Sequence, residues 1–182
     1  MASTMRFDNW QTTDGTSIAT TNASGDITFA GAVSGAGKIL QVVSTTKVDQ
    51  FSTSSTSMVD VTGVSVSITP TSTSSKVFVT VTGVTGISLS NQIVCFDLVR
   101  DSTAIAQSTG AGTSNQTTMH FPASAVTAID FGIEYLDSPA TTSATTYKLQ
   151  MRATAGTASV GRLGSATTYG AVTTITAMEV SA

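Results

Sequence analysis

Stretches in which every second residue is apolar recur along most of this chain, and that period leaves little room for anything but strands. In "SKVFVTVTGV", Val77, Val79 and Val81 share one face while Phe78, Thr80 and Thr82 share the other. In "TTYKLQMRA", Tyr147, Leu149 and Met151 alternate with Lys148, Gln150 and Arg152. Alternation of this kind gives a strand one buried and one wet face. Similar runs are "KILQVVS", "SMVDVTGVSVSITP" with a break at Gly63, "QIVCFDLVRD", "STAIAQ", "TTMHFP", "AIDFGIEYLD", "TASVGRL" and "VTTITAMEV". No amphipathic helix of useful length can be drawn. From Lys38 onward this reading predicts about nine to eleven short strands, the pattern of an antiparallel sandwich.

Composition agrees. Ser and Thr make up about a third of the 182 residues, while charged residues are only 10%. Thr is β-branched and favours strands, and Ser suits turns. Long-chain helix formers are scarce. The apolar fraction of 40% is enough for a core. We therefore expect an all-β protein, an antiparallel β-sandwich of jelly-roll type. "YLDSPATTSATTYK" is expected to be two strands joined by a loop. Pro139 cannot donate to a ladder and holds its predecessor extended, so it ends the first strand.

Residues 1–37 read differently. They carry turn signals at Asp14-Gly15 and "NASGD", short β stretches between, and a small-residue hinge, "GAVSGAG". Such a segment is too short and polar to bury a core alone. It is expected to be a β-rich attachment or neck segment ahead of a sandwich spanning 38–182. Trp10, the only tryptophan, lies within it and cannot be buried by its sequence neighbours. With Phe7 and Phe29 it is the candidate anchor to a particle or to sister subunits.

The residues of chemistry are thin. The net charge is −3 with no Lys/Arg cluster, so a nucleic-acid footprint is absent. The one cysteine, Cys95, excludes an internal disulfide framework and reads as a small buried hydrophobe. His120 is the only histidine; a catalytic triad or a Cys95–His120 pair would need it, and no motif supports either. One His and one Cys do not make a usual zinc site. Asp97 and Glu134 sit within apolar strands and are expected on a wet face or as intersubunit partners of Arg100, Lys148 or Arg152. Asp101 and Asp137 close strands. Calcium binding by such turn carboxylates stays open, without any EF-hand spacing. Gly35, Gly37, Gly83, Gly86, Gly110 and Gly112 open no helix and read as turn and hinge glycines rather than a phosphate loop. The chain is expected to need no metal and no cofactor and to be no enzyme. The N-terminus lacks the apolar stretch of a secretory signal, and nothing approaches the ~18 apolar residues of a membrane span.

Several stretches carry a resemblance. "VVSTTKVDQFSTSSTSMVDVTGVSVSITPTSTSSKVFVTVTG", "LVRDSTAIA", "YLDSPATTSATTYKLQMRA" and "ITAMEV" resemble the C-terminal domains of tail-fibre and other virion fibre proteins of bacteriophages, particularly marine ones. "MASTMRFDNWQTTDGTSIATTNASGDITFAG" is similar to the short N-terminal modules of such proteins. The resemblance covers nearly the whole chain, and "SVSITPTSTSSKV" and "YLDSPATTSATTYK" are its most specific pieces. It implies a trimeric β-sandwich in the virion, made in the host cytoplasm and attached to other virion proteins of capsid or tail. Almost no shaft precedes the sandwich, which favours a short fibre or decoration protein over a long adhesin. The alternative is a receptor-binding fibre tip recognising host surface glycan or protein. Its candidate loops are 109–116, 138–146 and 164–170, with Asn115, Gln116 and Tyr169 as ligand-contacting residues. Apolar residues on both faces of "IVCFDLV" and "FGIEYL" add an expectation of buried subunit contacts, and hence of a homotrimer.

Overall fold

The computed structural model describes residues 9–11, 17–21, 24, 27–29, 38–109, 117–123, 128–162 and 170–182. The chain divides into two compact units, Met1–Ala36 and Gly37–Ala182. In the first, strands β1 (Asn9–Gln11), β2 (Ser17–Thr21) and β3 (Ile27–Phe29) form a three-stranded antiparallel sheet. Trp10, Ala19 and Phe29 occupy one row across it.

The second unit holds eleven described strands and, among the described residues, no helix. They are β4 (Ile39–Lys47), β5 (Phe51–Thr53), β6 (Val59–Ile68), β7 (Lys76–Ile87), β8 (Gln92–Arg100), β9 (Thr103–Ile105), β10 (Met119–Ala123), β11 (Ile129–Asp137), β12 (Thr145–Ala153), β13 (Ala158–Val160) and β14 (Thr173–Val180). One sheet runs β4-β14-β7-β11. The short β13 continues β14 along β7, and β5 pairs with β13. The other sheet runs β6-β12-β8-β10, with β9 beside β10 on the same edge of β8.

The pairing is nested. β8 pairs with β10, β7 with β11, β6 with β12, and β4 with β14, so the chain is one long antiparallel hairpin folded over into two four-strand layers. That is the jelly roll, and it confirms the expected fold class. The turn after β6, the turn after β8 and the β11–β12 loop lie at the end of the sandwich where β4 begins and β14 finishes. There Lys38 N donates to Ser181 Oγ and Ser181 N to Lys38 O, both at 2.9 Å.

Alternation fills the core as the sequence predicts. Val77, Val79, Val81, Ile175, Ala177, Phe131 and Ile133 face Val94, Phe96, Leu98, Tyr147, Leu149 and Met151 across the layers. The rings of Phe96 and Phe131 stack between the sheets with centroids 4.7 Å apart. Lys148, Gln150 and Arg152 lie on the outer side of β12, half-buried. In β6 the buried positions shift phase, from Val61 to Val64, Val66 and Ile68. The pairing moves from Lys148 with Ser65 to Gln150 with Asp60, so β6 bulges by three extra residues opposite β12, and Gly63 within the bulge takes a left-handed φ of 85°.

Two findings differ from the sequence reading. Gly83 and Gly86 lie inside β7, not in turns. A Cβ at Gly83 would stand 2.7 Å from Thr173 Oγ1 and 3.0 Å from Phe131 Cε1, so close approach of neighbouring side chains selects glycine there. In β8 both faces are closed off within the chain, Cys95, Asp97 and Val99 included, so its apolar character calls for no partner. In β11, by contrast, Leu136 does stand exposed on the outer face.

Candidate functional site

Cys95 and His120 are direct cross-strand partners, in the β8–β10 pair. Arg152 flanks Cys95 on the other side, from β12. The outer face of this sheet thus brings together the residues that a thiol catalyst would need. Its electrostatics oppose that use. Burial pushes the Cys95 thiol up, Arg152 offsets this in part, and the Asp97 charge adds to the rise. A nucleophilic cysteine needs the reverse, a thiolate favoured by its surroundings. His120 is exposed.

Asp97 is not on a wet face. It is buried, accepting Gln107 Nε2 at 2.9 Å and Thr118 N at 3.2 Å through one oxygen. Thr118 Oγ1 in turn accepts from Leu98 N and donates to Ile105 O. These bonds fix the chain on either side of 109–116 to the edge of β8. Within the chain, two of the three candidate cations are paired with other acids. Lys148 Nζ bonds Asp60 Oδ2 at 2.8 Å and Arg100 bonds Asp137. Glu134 is exposed, as expected of a wet face.

The densest polar constellations lie at the end where β4 begins. Arg100 Nη1, on β8, donates to both Asp137 oxygens, at 2.9 and 2.8 Å. Tyr147 Oη, on β12, donates to Asp137 Oδ2 at 2.7 Å. Asp137 is on β11, in the opposite layer, so three strands and both sheets meet at one buried carboxylate. Burial and the Asp137 carboxylate push the Tyr147 hydroxyl well up, so it stays a donor. Beside this cluster Asp101 grips β12: its N–H donates to Thr146 O at 2.7 Å, and its Oδ1 accepts from Thr146 N at 2.9 Å. The loop 138–144 is thereby held at both roots. Within it Ser143 N donates to Thr141 Oγ1, and Ala140 sits at φ 53°.

Glu179 forms the second constellation. It continues the inward face of β14 after Ile175 and Ala177 and is fully closed off from solvent. One oxygen accepts Thr71 N and Thr71 Oγ1, both at 2.7 Å, and the other accepts Gln41 Nε2 at 2.6 Å. Gln41 also reaches Thr69 O. Burial would push this carboxyl up, but hydrogen bonds from Gln41, Thr71 and Ser75 outweigh it and hold the carboxylate at about 2. The clamp pins the loop 69–75 over the end of the sandwich.

Among the described residues no three His, Cys, Asp or Glu side chains gather as a metal set, and no helix could cross a membrane. Of the sequence-predicted site residues, Phe7, Asn115, Gln116 and Tyr169 lie outside the described residues, as do the side chains of Trp10 and Phe29. The roots of the two ligand-loop segments can be placed. Residues 109 and 117 flank one segment on the β8 edge, where Ser108 N donates to Thr117 O. Arg162 and Gly170 close the other as a bridge, at the end of the β4-β14-β7-β11 sheet far from Lys38. The two roots belong to different layers. Sequence reasoning missed Glu179, Gln41 and the Arg100–Asp137–Tyr147 cluster. Its only signal was an acid in the inward phase of β14.

No protein family model and no curated protein matches the chain. Solved structures of infectious bursal disease virus are similar at low identity. That of the Gx strain has a TM-score of 0.43 at 14% identity, covering 77% of this chain and 38% of that one. That of the Gt strain has 0.43 at 15%, covering 77% and 40%. The virus-derived T=1 particles give 0.42 at 12%, covering 77% and 37%. This chain spans about two fifths of their length. The sheet order above, not this likeness, defines the fold.

Proposed function

We propose that the chain is a non-enzymatic structural protein of a bacteriophage virion, a short trimeric fibre or decoration protein displayed on capsid or tail. The jelly roll faces outward. The N-terminal segment attaches it to other virion proteins, with Phe7, Trp10 and Phe29 as anchors. One observation carries this reading. The stretches that resemble fibre proteins are the ones that brace one end of the sandwich: "TPTSTSS" under Glu179 of "ITAMEV", and "LVRD" against "YLDSPATTSATTYK" through Arg100, Asp137 and Tyr147. Their acids are committed to holding loops rigid, which suits a display scaffold.

The test is to locate the chain on intact particles with a domain-specific antibody under the electron microscope, and to repeat it with Trp10→Ala. A hot-spot anchor is worth roughly 2 kcal/mol or more, so incorporation should drop at least tenfold while the protein stays folded. A chain that is missing from particles, or a Trp10→Ala chain incorporated as wild type, overturns the respective part of the assignment.

A further inference from the structure

The outer face of the β4-β14-β7-β11 sheet carries an apolar row that spans all four strands. Val42 pairs with Met178, Met178 with Phe78, and Phe78 with Leu136. Val42 is 55% exposed and Leu136 47%, and Met178 and Phe78 are half-buried. Exposed Leu40 extends the row on the β4 side. The next row along the strands is polar: Ser44, Thr176, Thr80 and Glu134. On the other flank stands Lys76, opposite Val180. β4 itself is an uncharged edge for eight residues, without proline, until the buried Lys47. An apolar row of this extent on an outer sheet face is seldom left uncovered.

The two charges say what covers it. Lys76 and Glu134 are both exposed, lie on opposite flanks of the row and on adjacent strands, and neither has an ion-pair partner among the described residues. A two-fold axis along the row lays this face on the same face of another copy, with the apolar rows in contact. The axis reverses strand direction, so the Lys76 flank of each copy meets the Glu134 flank of the other. The lateral offset is one strand spacing, about 4.8 Å, within reach of a lysine side chain. An unrelated partner would have to match an uncharged row between one cation and one anion. A second copy matches it by symmetry.

We propose that this face is a self-association surface, a face-to-face two-fold contact centred on Val42, Met178, Phe78 and Leu136 and closed by reciprocal Lys76–Glu134 pairs. Four strands and about four rows give roughly 500 Å² per copy, near the lower limit of a specific interface. The contact is therefore weak and concentration-dependent. The contact takes the outer face of β11, so the heterologous contacts of the three-fold ring proposed above lie elsewhere on the chain, and a trimer would present three such faces.

Sedimentation equilibrium of the full-length chain from about 1 µM to 1 mM reads this directly as a rise in mass, twofold from a single chain and at least twofold from a unit of three. Val42→Lys with Leu136→Lys should abolish the rise. So should Lys76→Glu alone and Glu134→Lys alone. The Lys76→Glu/Glu134→Lys double exchange should restore it, with unchanged circular dichroism and melting showing that each variant is folded. A wild-type mass that does not double over this range overturns the proposal. So does a double exchange that fails to regain what each single reversal lost.

Discussion

Tyr147 Oη gives its proton to Asp137 Oδ2 across 2.7 Å, and this one bond joins β12 of one layer to β11 of the other inside the sandwich. Tyr147→Phe should keep the ring in the core and leave Asp137 with Arg100 alone. Hydrogen bonds to a charged group contribute about 1.5–3 kcal/mol, so chemical denaturation should show a loss in that range. Arg100→Ala and Tyr147→Phe share one acceptor, and their effects should therefore not add.

Glu179 predicts an acid limb in the stability curve. Its carboxyl lies at about 2 in the folded chain against 4.5 for the ordinary group. A group whose folded value is depressed contributes stability above its unfolded value and loses it as pH falls toward the folded one. Denaturation midpoints should therefore fall between pH 4.5 and 2. Glu179→Gln should cost about 2 kcal/mol or more at neutral pH, because an amide nitrogen would face donors. It should also flatten that limb.

Gly83→Ala places a methyl group against Thr173 and Phe131. Overpacking of this kind costs about 1–3 kcal/mol. The loss should be read from the denaturant midpoint at unchanged slope, and part of it should be recovered by Thr173→Ala in the same chain.

Cys95 is 4% exposed, with its thiol pushed up by burial. It should resist iodoacetamide in the folded protein and react fully in denaturant. Rapid labelling of native protein that is lost in His120→Ala would instead revive the Cys95–His120 pair as a functional centre.

Particles bearing Asn115→Ala with Tyr169→Ala should adsorb to host cells as wild type does, if the chain decorates rather than binds. Adsorption lost with assembly intact would move the assignment to the receptor-binding tip.

What could be read from the sequence followed from alternation. Tyr147, Leu149 and Met151 declare their face, as do Val77, Val79 and Val81. Even the bulge at Gly63 is written as a phase slip between Val61 and Val64. What could not be read depends on partners that the fold brings together, near or far along the chain. Ser44 meets Thr176 across 132 residues, and Gln41 meets Glu179 across 138. Neither has a local signature. The outer face of β8 misled for the same reason. Asp97 there is bonded by Gln107 and Thr118, which no period-two pattern connects to it.

The nested pairing also sets a timetable. On the ribosome β4 emerges early but cannot find its neighbour until β14 has been made, so Ile39, Leu40 and Val42 must wait while the inner pairs close first. Folds dominated by such distant pairings collapse in milliseconds to seconds rather than microseconds. During that interval the uncharged first strand is the part of the nascent chain most open to aggregation, and the yield of soluble protein should depend on how quickly its last strand is delivered.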